Sequence, residues 1–398
     1  MHVTPHQHLC YTKQGMTDSL TPSKRPPASL LLALYFGFAL TGIGTNLLGC
    51  ALPALSTGWK LSDSAAGLLF AAQFAGSASG ALLVQSRLDW TILRGYFFVI
   101  ACGMCIAFSH GHLAPLFFIG FGFGLGHAMT ATSMAFGRIY STSRGASLSL
   151  LNAAWGLGAV ICPWIASSWA RFHASMWLFL AIALASLPPF LYLLARRNVL
   201  AAHSEEIDVS RNGRAAFSAL IHIAVFAFLY VGVEASVSGW MMTYIHRLPA
   251  SGEMFPPIIT SLFWISLLCG RTAAPAFLRQ ISESSLLSIS LVVALTSTGL
   301  LLLSHTSLQS LGCATLIGFT LAPVFPLCIS RLLGLTDDPT QSRWVFAVSG
   351  LGGAVLPWMT GQFAALQNSL RIGLLVPLLA TGMMLLLHVR TRSVPQIP

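Results

Sequence analysis

One acidic side chain lies well inside an apolar segment of this chain. Glu234 falls within the apolar residues 228–240, whereas the other ten Asp and Glu residues lie in the tails or between apolar segments. A carboxylate near the middle of a bilayer costs about 3 kcal/mol on insertion scales, so such a residue usually faces a polar cavity on the path of an ion or a solute. The position of Glu234 therefore predicts a site that binds and releases a proton. A structural acid hydrogen-bonded between helices is the alternative interpretation.

Two further polar residues lie four positions from Glu234. Tyr230 and Ser238 occupy positions i−4 and i+4, which places the three residues on one face of a helix. This polar stripe predicts that Tyr230 and Ser238 take part in substrate binding beside the proton site.

His127 is the second candidate for proton exchange. It lies in the fourth apolar segment, and an unperturbed imidazole titrates near pH 6.5, which suits proton exchange. A neutral histidine that hydrogen-bonds one helix to another is the alternative.

Amide and aromatic side chains within the apolar segments would suit a sugar. Sugar hydroxyl groups bond to amides, and the apolar face of the sugar ring stacks on an aromatic ring. Hydrogen bonds between helices and aromatic belts at the membrane surface are the alternatives. The predicted substrate-binding residues, besides Tyr230 and Ser238, are Asn46, Gln73, Asn152, Trp155, Trp240 and Trp264.

Three arginines lie near the ends of apolar segments on the side that we predict to be cytoplasmic. Arg138, Arg271 and Arg331 are expected to form gating salt bridges or to contact lipid head groups, with direct binding of an anionic substrate as the alternative. Little cationic character is expected in the middle of the membrane, which argues against phosphate or carboxylate substrates.

The composition indicates that membrane-crossing helices position these residues. The chain of 398 residues is 55% hydrophobic and 8% charged, against about 25% charged residues in a soluble protein. Its apolar segments suit helices of about 20 residues rather than the strands of about 10 residues in a transmembrane barrel. We predict an all-α integral membrane protein with twelve spans, 29–55, 64–86, 95–110, 114–138, 145–168, 174–195, 215–246, 255–278, 285–304, 309–333, 343–366 and 370–389.

The net charge of +10 is distributed unevenly along the chain. With the N-terminus inside, 17 of the 21 Lys and Arg residues fall in cytoplasmic segments and 4 in external ones. This bias follows the positive-inside rule and predicts that both termini lie in the cytoplasm. The expected location is the plasma membrane, which is the inner membrane if the source is a Gram-negative bacterium. The positive charge therefore fits contact with membrane lipid and not with nucleic acid.

The two halves of the chain resemble each other. Span 5 contains Gly156-Leu-Gly-Ala-Val-Ile-Cys-Pro-Trp164 and span 11 contains Gly350-Leu-Gly-Gly-Ala-Val-Leu-Pro-Trp358, at an offset of 194 residues. A duplicated unit with six spans keeps the same orientation in both copies, which is the parallel repeat of the major facilitator fold. The predicted organisation is a disordered tail (1–28), a six-helix bundle (29–195), a cytoplasmic linker (196–214), a second six-helix bundle (215–390) and a C-terminal tail (391–398).

Four segments together resemble a known family. They are Tyr230-Val-Gly-Val-Glu-Ala-Ser-Val-Ser-Gly-Trp240, Ser261-Leu-Phe-Trp264 with Gly270-Arg271, Gly318-Phe-Thr-Leu-Ala-Pro-Val-Phe-Pro326, and Asn152-Ala-Ala-Trp-Gly-Leu-Gly158. They resemble the fucose/glucose–proton symporter branch of the major facilitator superfamily. The resemblance implies proton-coupled uptake of a small neutral solute, with a sugar expected, by alternating access around a central cavity lined by spans 1, 4, 7 and 10.

The chain departs from that branch in its first half. The fucose permease relies on acidic residues in spans 1 and 4, where this chain has Asn46 and His127. The position equivalent to Glu234 in the first repeat holds Gly44. Carboxylate-based coupling is therefore expected to run through the second bundle alone.

The remaining motifs argue against other classes of protein. The chain has no His-Glu-x-x-His, Gly-x-Ser-x-Gly or P-loop sequence, so we predict no enzyme, no cofactor and no ATP-driven transport. A drug or metabolite exporter of the same fold and a non-transporting sensor of transporter descent remain as alternatives, and a monomer is expected.

Two histidine and cysteine patterns are not expected to bind metal. Cys102 and Cys105 have metal-motif spacing but no second ligand pair nearby. The polar N-terminal tail carries three histidines that could bind a metal, although a solvated tail is the simpler interpretation. Met16 is an alternative start to Met1, and the three tail histidines are His2, His6 and His8.

Overall fold

The structure, a computed structural model, is helical throughout the part of the chain that it describes. That part comprises residues 26–109, 113–140, 144–170, 177–203, 217–249, 252–336 and 339–392. Twelve helices within it are long and apolar enough to cross a membrane. The predicted all-α membrane fold is therefore confirmed.

The first bundle consists of six spans followed by a short helix. These are α1 (Ala28–Trp59), α2 (Asp63–Leu82), α3 (Leu88–Phe108), α4 (Ala114–Ile139), α5 (Arg144–Ala170) and α6 (Trp177–Ala195), and then α7 (Arg197–His203) at the start of the predicted linker.

The second bundle also has six spans, two of which are interrupted. Spans 7 to 9 are α8 (Phe217–His246), α9 (Phe255–Phe277) and α10 (Glu283–Leu303). Span 10 is divided into α11 (Ser307–Leu321) and α12 (Val324–Leu335), span 11 is α13 (Pro339–Leu366), and span 12 is divided into α14 (Leu370–Gly373) and α15 (Leu375–Arg392). Pro323 lies in the interruption of span 10, where its missing N–H cannot continue the helical bonding.

The predicted start of span 3 was wrong. The sequence placed it at residue 95, after the charged residues, whereas α3 begins at Leu88. Asp89 lies in the first turn of α3, where the helix dipole favours a carboxylate, and it pairs with Arg87 at 3.3 Å and with Arg197 of α7 at 3.8 Å. These partners let the helix include a charge that composition alone assigns to a loop.

Glycines bring equivalent helices together in both bundles. The second glycine of each Gly-Leu-Gly motif, Gly158 in α5 and Gly352 in α13, lies directly against a backbone carbonyl of the bundle's first span, that of Ala39 in α1 and of Phe228 in α8. An added Cβ would overlap that carbonyl in either bundle. The repeat seen in the sequence is therefore also a repeat in helix packing.

A second pair of glycines shows the same correspondence. Gly80 of α2 lies against the carbonyl of Phe123 in α4, and Gly270 of α9 lies against the carbonyl of Phe319 in α11. Small residues allow backbones to approach closely where lipid offers no hydrophobic driving force for helix association. Spans 2 and 4 of one bundle thus pack as spans 8 and 10 do in the other.

Polar side chains join the two bundles at one end. We call the end of the spans at which α7 lies the linker end, and the opposite end, where α1 connects to α2, the far end. At the far end Arg247, which follows α8, binds both carboxylate oxygens of Asp63 in α2 at 2.7 and 2.8 Å. Ser64 of α2 also donates to Gln362 of α13 at 2.8 Å. These polar contacts hold the bundles together at the far end.

The interface between α5 and α9 opens towards the linker end. Nearest the far end, Ser261 donates to the carbonyl of Val160 at 2.8 Å, and Leu268 then packs directly on Gly156. One turn further towards the linker end, Asn152 of α5 and Thr272 of α9 are both exposed. The facing sides of α5 and α9 are therefore uncovered towards the linker end, and we call the opening between these two helices the cleft.

Candidate functional site

Glu234 lies in α8, and its carboxylate accepts a hydrogen bond from the hydroxyl of Tyr230, one turn away. The Glu234 side chain is 18% exposed, whereas Tyr230 is buried. The predicted i−4 contact is therefore present. Ser238 behaves differently, because its hydroxyl donates to the backbone carbonyl of Glu234 at 2.7 Å rather than to the carboxylate. A serine in a helix commonly bonds to the carbonyl four residues earlier.

Arg271 of α9 reaches the same carboxylate. Its guanidinium lies 3.7 Å from Oε2 of Glu234, and the Arg271 side chain is 26% exposed. The sequence assigned Arg271 to gating at the cytoplasmic helix end and expected little cationic character mid-membrane, so this pairing was not foreseen. An arginine near a helix end can reach the interior because its side chain is long enough to carry the charge away from its backbone position.

The interruption of span 10 contacts this cluster. Phe325, in the first turn of α12, stacks on the ring of Tyr230 with centroids 5.4 Å apart and an angle of 22° between the rings. Glu234, Tyr230, Arg271 and Phe325 thus form one group, which we call the acid cluster, with members from spans 7, 8 and 10. Glu234 is therefore linked, through Tyr230 and Phe325, to the interruption of span 10.

His127 is bonded within the first bundle. Its Nδ1 lies 2.6 Å from the carbonyl oxygen of Gly80 in α2, so Nδ1 carries the hydrogen and donates. The ring also stacks on Phe123 at 4.5 Å, and the residue is 3% exposed. This arrangement fits the alternative interpretation, a histidine that joins two helices.

The three predicted amides bond to backbone carbonyls. Asn46 donates to Gly42 and Asn152 donates to Leu148, each at 2.9 Å within its own helix. Gln73 is buried and donates to the carbonyl of Thr45 at 2.9 Å, across from α2 to α1. Asn152 is exposed at the mouth of the cleft, and Asn46 is half-buried, so both remain candidates for contact with a solute.

The three predicted tryptophans occupy two kinds of position. Trp240 is fully buried and donates from its indole to the carbonyl of Pro357 at 3.1 Å. It also packs on Phe70 of the first bundle at 5.5 Å, so it serves as an element of packing. Trp155 of α5 and Trp264 of α9 meet edge to face across the bundle interface, with centroids 5.4 Å apart.

The other two predicted gating arginines lie at the linker end. Arg138 donates to the carbonyl of Ser86 at 3.4 Å, and Arg331 lies near His222 of α8. Their gating role remains a prediction. The sequence missed the pair Asp63 and Arg247, because a separation of 184 residues along the chain carries no signal of contact.

Two like bundles of six membrane-crossing helices define the architecture of a secondary membrane transporter. The model of the Major Facilitator Superfamily matches residues 34–333. The chain belongs to this superfamily and is a multi-pass membrane transporter.

Two curated proteins are similar to the chain at the level of sequence. "Bypass of stop codon protein 6" of Saccharomyces cerevisiae is 20% identical over 386 residues, which cover 84% of this chain and 76% of that protein. A "Glucose/galactose transporter" of Brucella abortus is 25% identical over 144 residues, which cover 35% of each protein. The second alignment thus spans about a third of either chain.

Solved structures share the fold. A POT family transporter in complex with a thioalcohol-conjugated peptide has a TM-score of 0.76 at 13% identity and covers 93% of this chain and 97% of its own. The inward-open xylose transporter XylE from E. coli has a TM-score of 0.70 at 15% identity and covers 89% and 95%. At these identities the likeness concerns architecture alone.

Proposed function

We propose that the chain is a proton-coupled secondary transporter of a small neutral solute, with a sugar as the substrate class, and that Glu234 carries the coupling proton. The observation that supports this most is the acid cluster, a partly exposed carboxylate with a phenol and a guanidinium as partners, inside a transmembrane helix. Such residues within a membrane usually mark ion or substrate paths.

The proton would act by changing the partner of Arg271. An ionised Glu234 attracts Arg271 and accepts from Tyr230. A protonated Glu234 loses that attraction, so Arg271 becomes free to bond elsewhere, for example to the oxygen atoms of a solute. Because Phe325 stacks on Tyr230, movement within the cluster would be passed on to the interrupted span 10. Proton binding and solute binding would then favour the same rearrangement.

Charge balance supports a neutral solute. With Glu234 ionised, Glu234 and Arg271 compensate each other, so the resting cluster has no net charge that would attract an anionic solute. The sugar class is further supported by the resemblance in spans 5, 7, 8 and 10 and by the relative described as a glucose/galactose transporter. With the termini in the cytoplasm, the linker end faces inwards, so the cleft would open to the cytoplasm.

Transport by the Glu234→Gln variant tests this function. In proteoliposomes with radiolabelled D-glucose, D-galactose and D-xylose, we expect wild-type uptake to rise with an inward proton gradient. The variant should lose gradient-driven accumulation but retain exchange of labelled for unlabelled sugar, since glutamine keeps the shape and cannot ionise. Ser186→Ala is the control, because the Ser186 hydroxyl bonds only to its own helix backbone among the described residues and Ser186 is not a candidate site residue.

Each other outcome has a definite meaning. Unchanged accumulation in Glu234→Gln would remove Glu234 from coupling. Proton-driven extrusion of a compound, with resistance of cells to it, would establish an exporter instead. Failure of every solute to cross in purified wild-type protein would support a sensor.

A further inference from the structure

Two indole groups at the bundle interface have buried N–H donors without an acceptor. Among the residues that the structure describes, neither Nε1 of Trp155 nor Nε1 of Trp264 has a hydrogen-bond partner, and both atoms are inaccessible. Trp264 is 3% exposed. An indole N–H can only donate, and buried donors are nearly always satisfied in folded proteins. Two such donors side by side therefore require an explanation.

Trp240 shows what the same fold does with an indole that serves packing. Its N–H donates to the carbonyl of Pro357 at 3.1 Å, inside the second bundle. Trp240 also contacts the first bundle, through Phe70, but its donor is satisfied within its own bundle. Trp155 and Trp264 belong to different bundles and meet at the join with neither donor satisfied. Alternating access separates bundles along such surfaces, so an opening of this surface would expose both donors.

The surroundings of the pair indicate where it would be uncovered. Towards the far end the interface is closed by the bond from Ser261 to Val160. Beyond that bond a cavity of about 430 Å³ lies at the far end, among α1, α5, α8 and α9. A solute that entered from the far end, with the interface open, would therefore pass from this cavity to the two indoles.

We infer that Trp155 and Trp264 bind the solute in the conformation that is open at the far end, each donating its indole N–H to an oxygen atom of a polyhydroxyl solute. When the interface closes, the two rings pack against each other and the donors are withdrawn. The inference rests on the proposed transport of a sugar. It assigns the two tryptophans hydrogen bonding in addition to the stacking that their ring faces suggest.

Withdrawal of the donors makes affinity depend on the side of the membrane. The solute would bind more tightly from the far end, where both indoles are available, than from the linker end, where they are sealed. The acid cluster, whose Arg271 directly precedes the exposed Thr272 in α9, would then hold the solute by fewer contacts before release. Closure of the interface between α5 and α9 thus favours release of the solute.

Phenylalanine substitutions test the inference, because Phe keeps an aromatic ring and removes the donor. The wild-type protein is first tested with D-glucose, D-galactose and D-xylose. Uptake of the sugar that it transports is then measured in vesicles of both orientations. For Trp155→Phe and Trp264→Phe we expect the half-saturation concentration on the far side to rise about five- to tenfold, the effect of one lost neutral hydrogen bond. The value on the linker side should stay within about twofold.

Thermal stability provides a second, solute-free measurement. Trp→Phe removes the same volume at each position and so lowers the Tm of the purified protein, but at Trp155 and Trp264 no satisfied hydrogen bond is lost with it, so the fall should be smaller than at Trp240. Trp240→Phe is the control: it loses a satisfied bond, so its Tm should fall while the ratio of the two half-saturation concentrations stays at the wild-type value.

Two results would overturn the inference. One is a Tm in Trp155→Phe and Trp264→Phe that falls as in Trp240→Phe, which would show that the donors are satisfied. The other is a half-saturation concentration that stays at the wild-type value in both variants, or that changes equally on the two sides. If none of the three sugars is transported, the proposed function fails, and the Tm comparison still decides whether the donors are unpartnered.

Discussion

In the first bundle the three candidate amides and His127 bond to backbone carbonyls, as His127 bonds to Gly80 and Gln73 to Thr45. In the second bundle Glu234, Tyr230 and Arg271 bond to one another instead. A side chain held by a carbonyl has a fixed partner, because a carbonyl cannot change its charge. A carboxylate held by a phenol and a guanidinium can exchange partners when it gains a proton. The first bundle therefore uses its polar groups for cohesion, and the second has the means to respond to an ion.

The two bundles nevertheless agree in how their backbones pack. Gly158 and Gly352 each lie on a carbonyl of the first span of their bundle, and Gly80 and Gly270 each lie on a carbonyl two spans away. The duplicated feature is thus the set of close backbone contacts, which depends on glycine positions. The chemistry lies in other residues, which the repeat does not reproduce.

The largest effects are expected where the bundles are alike. Gly158→Ala and Gly352→Ala would each force a Cβ into a backbone carbonyl, and overpacking of this kind should cost about 3 kcal/mol or more. We expect both variants to lose folded, monodisperse protein, as measured by yield on size-exclusion chromatography and by Tm. Gly312→Ala is the control, since nothing lies within 4 Å of its added Cβ. Loss of folded protein in only one of the two variants would contradict the equivalence of packing in the two bundles.

The next effect concerns the charged pair of the second bundle. Arg271→Gln leaves the Glu234 carboxylate without its cation, which should cost about 2 kcal/mol, less than for a fully buried pair because both side chains are partly exposed. We expect a lower Tm for Arg271→Gln and a recovery in the double variant with Glu234→Gln, which has no charge to compensate. Equal Tm values for the single and double variants would show that the two groups are not coupled.

A smaller loss is expected in the first bundle. His127→Phe leaves the Gly80 carbonyl without its donor, at a cost of about 1 to 2 kcal/mol. Stability should fall, while the pH dependence of sugar uptake should keep its wild-type midpoint. A shifted midpoint would mean that His127 exchanges protons during transport, and the contrast between the bundles would then no longer hold.

The smallest effect is expected at the join between the bundles. The Arg247 side chain is 43% exposed and that of Asp63 13%, so their ion pair should contribute less than about 1 kcal/mol and weaken with salt. Asp63→Asn should therefore shift the conformational equilibrium only a few-fold towards opening at the far end. Thiol labelling of an Asn152→Cys variant in a cysteine-free background would follow this, because closure of the cleft should slow its labelling.

Exchange of the two charges provides the control for that pair. The double variant Asp63→Arg with Arg247→Asp should restore the wild-type labelling rate, since it recreates the ion pair with reversed polarity. A double variant that labels like Asp63→Asn would show that the pair does not hold the far end closed.

Much of the architecture could be predicted from composition and spacing. The twelve spans follow from apolar segments of sufficient length, and the duplication follows from the two Gly-Leu-Gly motifs. The contact of Tyr230 with Glu234 follows from a spacing of four residues in a helix. The start of α3 could not be predicted in this way, because Asp89 is accommodated by Arg197 from a helix more than a hundred residues later.

The sequence by itself determined which segments cross the membrane, that they form two like bundles, and that Glu234 is the acid within a span. Those properties depend on residue type and local spacing, which the linear chain contains in full. Only the tertiary structure decided that Arg271 is the partner of Glu234, that Arg247 binds Asp63, and that the indoles of Trp155 and Trp264 meet without acceptors. Each of these depends on the approach of different helices and on how far a side chain reaches, and neither is encoded in any single segment.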